Sequence, residues 1–178
     1  MSNATANPDD QPYVYAIGIG SNRPLTRVLD PKAIATAALT ALDTFPLRLL
    51  AGSPIIATRP LGPSMRTYAN AAALVSSPLQ PIVMLNLLQQ IERRFGRRRH
   101  RRWAARTLDL DILLWSAGSY ASKRLTVPHS ALKNRSFALA PLRMIAPRWR
   151  HPASKLSVIH LAARLAKPKP VDHCRARL

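Results

Sequence analysis

Apolar and polar residues alternate along the chain with two periods, one typical of strands and the other of helices. Runs rich in β-branched, aromatic and small residues, bounded by Gly, Pro, Ser or Asn, predict strands at 13–22, 47–58, 68–77 and 107–115. Apolar residues at spacings of three and four predict helices at 31–44, 81–96, 131–147 and 154–166. The order of the first six elements is that of the split βαβ arrangement. The chain is therefore predicted to be an α+β protein with a ferredoxin-like βαββαβ core, an antiparallel sheet with helices packed on it.

Capping and turn residues mark the boundaries of these elements. Asp30 suits the N-cap of a helix, and Pro31 suits its first position. The second strand is interrupted at the Gly-Ser-Pro triplet that begins at Gly52. The segment 59–67 is predicted to be a loop because it is rich in Pro and Gly. The polar, highly charged run at 97–106 is predicted to be a mobile loop.

The length of 178 residues is typical of one domain. We expect a single domain at 13–166, a flexible polar leader at 1–12 and a frayed tail at 167–178. No apolar run approaches the roughly 20 residues that a membrane-spanning helix needs. A single cysteine, Cys174, fits a reducing compartment. These features predict a cytoplasmic protein with no membrane partner.

The formal net charge of +19 admits two interpretations. A basic surface attracts the phosphate backbone of nucleic acids, and it also attracts polyanionic small molecules. The positions of the acids bear on the choice. Between Asp43 and Asp172 the only acidic residues are Glu92, Asp109 and Asp111. Three acids close together in a long segment that otherwise lacks them indicate a specific task.

Asp109 and Asp111 lie two residues apart on a predicted strand, so their side chains share a face. The two carboxylates are then about 6–7 Å apart along the strand, and burying such charges without compensation costs several kcal/mol. A divalent cation removes that cost, and Mg²⁺ prefers one or two carboxylates together with substrate phosphates and water. The alternative is that each aspartate pairs with a nearby arginine on a solvated edge.

An arginine-rich run precedes the two aspartates. Within fourteen residues it contains Arg93, Arg94, Arg97, Arg98, Arg99, Arg101, Arg102 and Arg106. Two aspartates do not need so many partners, and arginine binds phosphate oxygens bidentately. A flexible arginine loop beside paired carboxylates suits phosphoryl transfer, in which the protein mainly positions groups and neutralises charge. Trp103 in this loop either stacks on a flat heterocycle or packs at the base of the loop.

A second group of candidate residues follows the aspartates. The segment 124–129 is predicted to be extended and to stop at Pro128, which fixes the direction of His129. His129 and Arg135 are close enough in sequence to reach one phosphate, although a lone histidine is often a structural hydrogen-bond donor. The sequence contains neither a Walker A loop nor a protein-kinase glycine-rich loop. Any nucleotide would therefore bind by a less common arrangement.

Four motifs occur in a fixed order: AIGIGSN, then TRPLGPS with YANAA, then LLQQIERRFGRRRHRRWAARTLDLDILL, then RLTVPHSALKNRSFALAPLRMIAP. Together they span about residues 14–147, and this combination resembles the 6-hydroxymethyl-7,8-dihydropterin pyrophosphokinases of folate biosynthesis. The resemblance implies transfer of a diphosphate from ATP to the pterin hydroxymethyl group, with release of AMP. It implies two Mg²⁺ ions, ATP and a pterin as partners, and no specific nucleic-acid partner. The oligomeric state stays open, with a monomer favoured.

The resemblance also implies roles for individual residues. Asp109 and Asp111 correspond to metal ligands, and Arg97 and Arg106 to the phosphate-binding arginines that act with them in catalysis. The implied ATP-binding positions are Gln89, Glu92, Arg99, Ile112, Arg124, Thr126, His129 and Arg135. The implied pterin-binding positions are Thr58, Leu61, Tyr68, Asn70, Trp103 and Phe137. Arg99 and Trp103 belong to the loop that closes on the substrates.

The chain departs from the family pattern at three places. Ala104-Ala105 stands where the family usually has Gly-Pro, which changes the backbone choices of the loop. Arg59 replaces a smaller or apolar residue, and Ser130 replaces an aromatic residue or proline. One alternative is therefore a diverged paralogue with an altered pterin substrate or lost activity.

A nucleic-acid-binding ferredoxin-like module is the other alternative. It predicts exposed aromatic residues that stack on bases. The chain is only 6% aromatic, and this alternative leaves the two aspartates without a role.

Overall fold

The structure, a computed structural model, describes residues 11–26, 29–58, 67–96 and 106–166. The tail predicted at 167–178 lies outside the described residues, as does nearly all of the predicted leader. Most of the two predicted loops, at 59–67 and 97–106, also lies outside them.

The described part of the chain contains seven strands and four α-helices. The strands are β1 (Tyr13–Ser21), β2 (Arg48–Gly52), β3 (Ile56–Thr58), β4 (Tyr68–Ser77), β5 (Asp109–Trp115), β6 (Tyr120–Ala121) and β7 (Thr126–Val127). The helices are α1 (Pro31–Ala41), α2 (Pro81–Arg94), α3 (Ser136–Ile145) and α4 (Val158–Ala166). No helix within these ranges is both long and apolar enough to span a membrane.

The central sheet is antiparallel and has β1 in its interior. The strand order is β2-β4-β1-β5, and β3 also pairs with β4. β6 and β7 pair with each other in a separate small sheet. The predicted βαββαβ order is confirmed, with the second predicted strand divided into β2 and β3 at the Gly-Ser-Pro triplet. Among the described strands, β5, which carries both aspartates, lies at the edge of the central sheet.

Helices cover both faces of the sheet. Ile17 of β1 belongs to one core cluster, together with Ile34 of α1 and Leu88 of α2. The preceding residue, Ala16, belongs to the other cluster, together with Leu139 of α3. Because successive side chains of a strand point to opposite faces, the sheet separates α1 and α2 from α3 and α4.

The prediction of one continuous helix at 131–147 is wrong. A 3₁₀ turn at Leu132–Asn134 comes first, and α3 begins only at Ser136. Between them Arg135 has an extended backbone (φ −111°, ψ 90°), and its guanidinium reaches Asp111. Apolar periodicity does not register such a tertiary contact, which here coincides with the break in the helix.

The predicted helix at 154–166 begins later than expected, at Val158. Lys155 has a φ of +57°, in the left-handed region, so the backbone before α4 forms a turn. His151 organises this turn: its Nδ1 accepts hydrogen bonds from the backbone N–H groups of Ala153 and Ser154, each at 3.3 Å. The ring is buried, and Nδ1 must be unprotonated to accept these bonds.

We expect the pH dependence of the protein's stability to reflect the protonation of His151 in this turn. Burial lowers the pKa of His151, and the nearby positive charge of Lys133 lowers it further. The unfolded chain therefore binds the proton more readily, and stability is lost as pH falls through about 6.5, the ordinary histidine pKa. His151→Asn keeps an acceptor for the same N–H groups but does not titrate there.

We expect urea titrations to show a smaller loss of unfolding free energy for His151→Asn than for the wild type when pH falls from about 7 to about 5. The comparison isolates His151 because all other titrating groups are common to both proteins. Identical pH dependence in the two proteins would contradict the role assigned to the neutral ring.

Candidate active site

A cavity of about 430 Å³ opens on the face of the sheet that carries α3. Strands β1, β4 and β5 supply its floor, and the beginning of α3 supplies a wall. Residues that line it include Gly18, Gly20, Asn70, Asp109, Asp111 and Phe137.

Two glycines of β1 create the space in the middle of the floor. Gly20 lies opposite Asn70 on β4 and opposite Asp109 on β5. Gly18 lies opposite Asp111 in the same register. Residues opposite each other on antiparallel strands share a face, so the two carboxylates face the same cavity. The prediction that both aspartates point the same way is confirmed.

Each aspartate is paired with an arginine. Arg106 Nη1 lies 2.6 Å from Asp109 Oδ1, and Arg135 Nη1 lies 2.9 Å from Asp111 Oδ2. His129 Nε2 lies 3.8 Å from the same Asp111 oxygen. The pairing that the sequence left as an alternative is therefore present, but the pairs line a cavity instead of an open edge. About a third of each carboxylate side chain remains exposed, 28% for Asp109 and 34% for Asp111.

The charges of these partners follow from their surroundings. Burial alone would lower the pKa of Arg106, but the carboxylates of Asp109, Asp111 and Glu92 outweigh it and raise that pKa. Burial lowers the pKa of His129, the charge of Arg135 adds to this effect, and the charge of Asp111 opposes it. At neutral pH the site thus combines charged guanidinium groups with a neutral imidazole.

The two carboxylates form an incomplete set of metal ligands. Within the described ranges no group of three or more His, Cys, Asp or Glu side chains is arranged to hold a metal ion. Carboxylate oxygens are ligands for hard cations, and Mg²⁺ commonly takes one or two of them and fills its other positions with water and phosphate oxygens. The donor set fits Mg²⁺ that binds together with a phosphate-bearing molecule.

Asn22, which follows β1, holds the backbone of Arg106, the partner of Asp109. Asn22 is buried, and its Oδ1 accepts the backbone N–H of Arg106 at 2.8 Å. The backbone N–H of Asn22 donates to the carbonyl of Arg106 at 3.2 Å. The sequence predicted a strand at 13–22 but did not indicate these contacts or the glycine floor. Its signal was the pair of glycines two residues apart in an otherwise apolar strand.

An amide and two aromatic side chains stand across the floor from the carboxylates. The cavity lining includes Tyr68, Asn70 and Phe137. Asn70 is buried, and its Nδ2 donates to Thr58 Oγ1 at 2.6 Å. The guanidinium of Arg135 lies over the ring of Phe137, 5.6 Å from its centroid. The structure thus brings four predicted pterin-binding residues together near the aspartates.

Other predicted ATP-binding residues lie outside the cavity lining. Arg124 Nη2 donates to Asn86 Oδ1 at 2.9 Å and to Gln89 Oε1 at 3.5 Å, on the exposed surface of α2. Thr126 is exposed on β7. The side chain of Ile112 is buried in the core beside α1 and α2, opposite the face of the aspartates. Any contact between Ile112 and a nucleotide would therefore involve its backbone.

Glu92, another predicted ATP-binding residue, does not line this cavity. Its side chain is only 2% exposed, and its Oε1 accepts the backbone N–H of Leu110 at 2.8 Å. Leu110 contributes to the core beside α1 and α2. Glu92 thus lies behind the strand that carries the aspartates, not in the cavity. The remaining predicted site residues, Leu61, Arg97, Arg99 and Trp103, lie outside the described residues.

Comparison with known sequences agrees with these motifs. Residues 16–147 match the family model described as 7,8-dihydro-6-hydroxymethylpterin-pyrophosphokinase (HPPK). A 2-amino-4-hydroxy-6-hydroxymethyldihydropteridine pyrophosphokinase of Pseudomonas aeruginosa is 40% identical over 138 residues, which is 76% of this chain and 82% of the relative. An enzyme of the same name from Synechocystis is 35% identical over 163 residues, 89% of this chain and 80% of the relative.

Solved structures with the same fold include the HPPK-DHPS protein of Plasmodium falciparum. Its crystal structure has a TM-score of 0.67 at 12% sequence identity, and the match covers 86% of this chain and 41% of that one. At this identity the likeness concerns the fold alone, whereas the family match covers most of the chain. The chain belongs to the 7,8-dihydro-6-hydroxymethylpterin-pyrophosphokinase family.

Proposed function

We propose that this chain transfers the terminal diphosphate of ATP to the hydroxymethyl oxygen of 6-hydroxymethyl-7,8-dihydropterin, a reaction of folate biosynthesis. The substrate oxygen bonds to the β-phosphorus, and the bond from that phosphorus to the oxygen bridging the α-phosphorus breaks. AMP leaves with the bridging oxygen, and the hydroxyl proton passes to solvent. One observation carries the proposal: a single cavity places paired carboxylates and arginines opposite an amide and aromatic rings.

Asp109 and Asp111 are the residues that would hold Mg²⁺, two ions by analogy with the family. The bound cation would neutralise phosphate charge and orient the triphosphate. The contribution of the chain is to present both carboxylates from one strand, so that their spacing is set by the backbone. This arrangement supports the assignment because it needs no movement of one element relative to another.

Arg106 and Arg135 would bind phosphate once a cation replaces them beside the carboxylates. Their guanidinium groups are then free to bind phosphate oxygens, which arginine does bidentately. Both residues already line the cavity. His129, neutral at pH 7, adds a ring nitrogen near Asp111 without adding repulsion toward the guanidinium groups.

The opposite wall supports a flat heterocycle with hydrogen-bonding edges as the acceptor. The buried amide of Asn70 offers both a donor and an acceptor, and Thr58 holds it in one orientation. Phe137 and Tyr68 offer ring faces for stacking. A pterin meets both requirements.

The aromatic residues of the central sheet do not support the nucleic-acid-binding alternative. The aromatic residues of β1 and β5 pack with one another: Tyr13 and Trp115 have ring centroids 5.1 Å apart, and Tyr15 and Trp115 are stacked at 6.3 Å. Tyr15 and Trp115 are buried, so they offer no surface for stacked bases. The diverged-paralogue alternative predicts the same fold without pterin-dependent turnover, and the assay described next separates it.

We also propose that residues 13–166 act as one domain, as a monomer and in the cytoplasm. All four helices pack on the same sheet, which supports a single domain. The lone cysteine supports a reducing compartment.

Asp109→Asn and Asp111→Asn should each lower pterin-dependent AMP release about 100-fold or more, because each removes an anionic ligand of the cation. AMP is measured by chromatography after incubation with ATP and Mg²⁺, with the pterin present or omitted. Asp30→Asn is the matched control: Asp30 caps α1 through the N–H of Ala33, and asparagine caps equally well. Wild-type turnover by Asp109→Asn would refute the metal role, and AMP formation by the wild type without pterin would refute the acceptor.

Asn70→Leu should raise the KM for the pterin about 10- to 100-fold, because buried polar groups of the ligand lose their partner. The KM for ATP should change less than about twofold. Thr58→Val should shift the pterin KM in the same direction by less, because it removes the hydroxyl that orients the amide. Thr58→Ser keeps that hydroxyl and is the control. An equal rise in both KM values would contradict the assignment of this wall to the pterin.

Arg135→Gln should bind Mn²⁺ about threefold or more tightly in the absence of nucleotide, because a guanidinium no longer competes for Asp111. The same variant should turn over ATP and pterin more slowly, because a phosphate-binding group is lost. Mn²⁺ affinity is measured by electron paramagnetic resonance of the free ion. Arg143→Gln, an exposed residue of α3 outside the cavity lining, is the control. Weaker Mn²⁺ binding by Arg135→Gln would contradict the competition.

A further inference from the structure

Glu92 is a carboxylate that is almost completely buried at the end of α2. It lies in the last turn of α2, near the negative end of the helix dipole, and is only 2% exposed. Burying a charge costs several kcal/mol unless it is well compensated. Neighbouring positions on the same face of α2, Leu88 and Ile91, are apolar. A reason for the carboxylate must therefore be sought in what it contacts.

One of its contacts is with the free edge of β5. Among the described strands of the central sheet, β5 pairs only with β1. In an antiparallel pair, successive residues direct their backbone groups alternately toward the partner and away from it. The N–H of Leu110 points away from β1 and would have no acceptor in the sheet. Glu92 Oε1 accepts it at 2.8 Å.

Leu110 is the residue between the two aspartates. Its neighbours Asp109 and Asp111 face Gly20 and Gly18 of β1, which hold the strand from one side. Glu92 holds it from the other side. Farther along β5, the N–H of His129 donates to the carbonyl of Leu113 at 3.0 Å. The aspartate end of the strand is thus fixed on both sides, which an edge strand does not provide by itself.

We propose that Glu92 is a positioning residue for the reaction: it fixes the backbone between Asp109 and Asp111 and thereby the spacing and direction of the two carboxylates. The inference rests on the proposed function, in which these carboxylates hold the cation. Constellations that bind metal must be held within about 0.5 Å of their working geometry. The acceptor oxygen, and not contact with a substrate, is the operative feature.

Three substitutions distinguish this positioning role from a direct nucleotide contact, from an effect of the charge and from a general effect on stability. Glu92→Met has similar length but no acceptor for the N–H of Leu110. Glu92→Gln keeps the acceptor oxygen and loses the charge. Leu88→Ala, at a fully buried position on the same helix, lowers stability but leaves the acceptor of the Leu110 N–H in place, so it reports the effect of destabilisation.

For Glu92→Met we expect kcat to fall about 10- to 100-fold while both KM values stay within about threefold. The Mg²⁺ concentration for half-maximal rate should rise about fivefold or more, because the ligands are less well held. Glu92→Gln should keep most of the wild-type kcat and a Mg²⁺ requirement close to that of the wild type. Leu88→Ala should lower the melting temperature and leave kcat per folded molecule unchanged.

Two readouts do not depend on turnover. Amide hydrogen exchange at Leu110 should be slow in the wild type and in Glu92→Gln, and fast in Glu92→Met. Mn²⁺ affinity without substrates should fall in Glu92→Met and be retained in Glu92→Gln. If the wild type itself forms no AMP, the proposed function fails, while these two measurements still decide whether Glu92 positions the aspartates.

Three outcomes would overturn the inference. A rise in the KM for ATP in both Glu92 variants would indicate a direct nucleotide contact. Unchanged kcat and Mn²⁺ affinity in folded Glu92→Met would indicate a purely structural residue. A loss in Glu92→Gln as large as that in Glu92→Met would assign the effect to charge instead of to the hydrogen bond.

Discussion

The register of β1 between β4 and β5 is the constraint on which the site depends. A slip of one residue would exchange the two faces of the strand and direct Ile19 into the cavity in place of Gly20. Burial of Ile17 and Ile19 beside α1 and α2 prevents this slip, since each such side chain contributes about 1.5–3 kcal/mol. The polar site on one face is thus fixed by apolar packing on the other. Gly18 leaves little room even for a methyl group, because an added Cβ would lie 3.2 Å from Leu113.

Charge is organised more locally than the net value of +19 suggests. The three acids of α2 and β5 each have a partner: Asp109 pairs with Arg106, Asp111 pairs with Arg135, and Glu92 accepts the N–H of Leu110. The carboxylates are thereby kept compatible with their partial burial while the cavity retains guanidinium groups that can bind an anion. In the proposed function, these internal ion pairs are exchanged for contacts with phosphate and cation when the substrates bind.

Local patterns predicted much of the fold and only part of the site. Strand alternation and helix caps identified the βαββαβ core, and the two-residue spacing placed Asp109 and Asp111 on one face, because these features depend on neighbours in sequence. The break at Arg135 escaped prediction because it accompanies an ion pair with a residue 24 positions away. The position of Glu92 behind β5 escaped for the same reason, since it depends on a hydrogen bond with Leu110, 18 positions away. The residues Leu61, Arg97, Arg99 and Trp103 keep the roles that the resemblance implies, as predictions.

The most direct test of the account is the identity of the phosphorus products. Phosphorus nuclear magnetic resonance of the wild-type protein with ATP, Mg²⁺ and 6-hydroxymethyl-7,8-dihydropterin follows every phosphorus atom at once. We expect AMP and a pterin diphosphate ester in equal amounts, with no ADP and no reaction when the pterin is omitted. Formation of ADP with a pterin monophosphate, or persistence of ATP in the presence of folded protein and pterin, would contradict it.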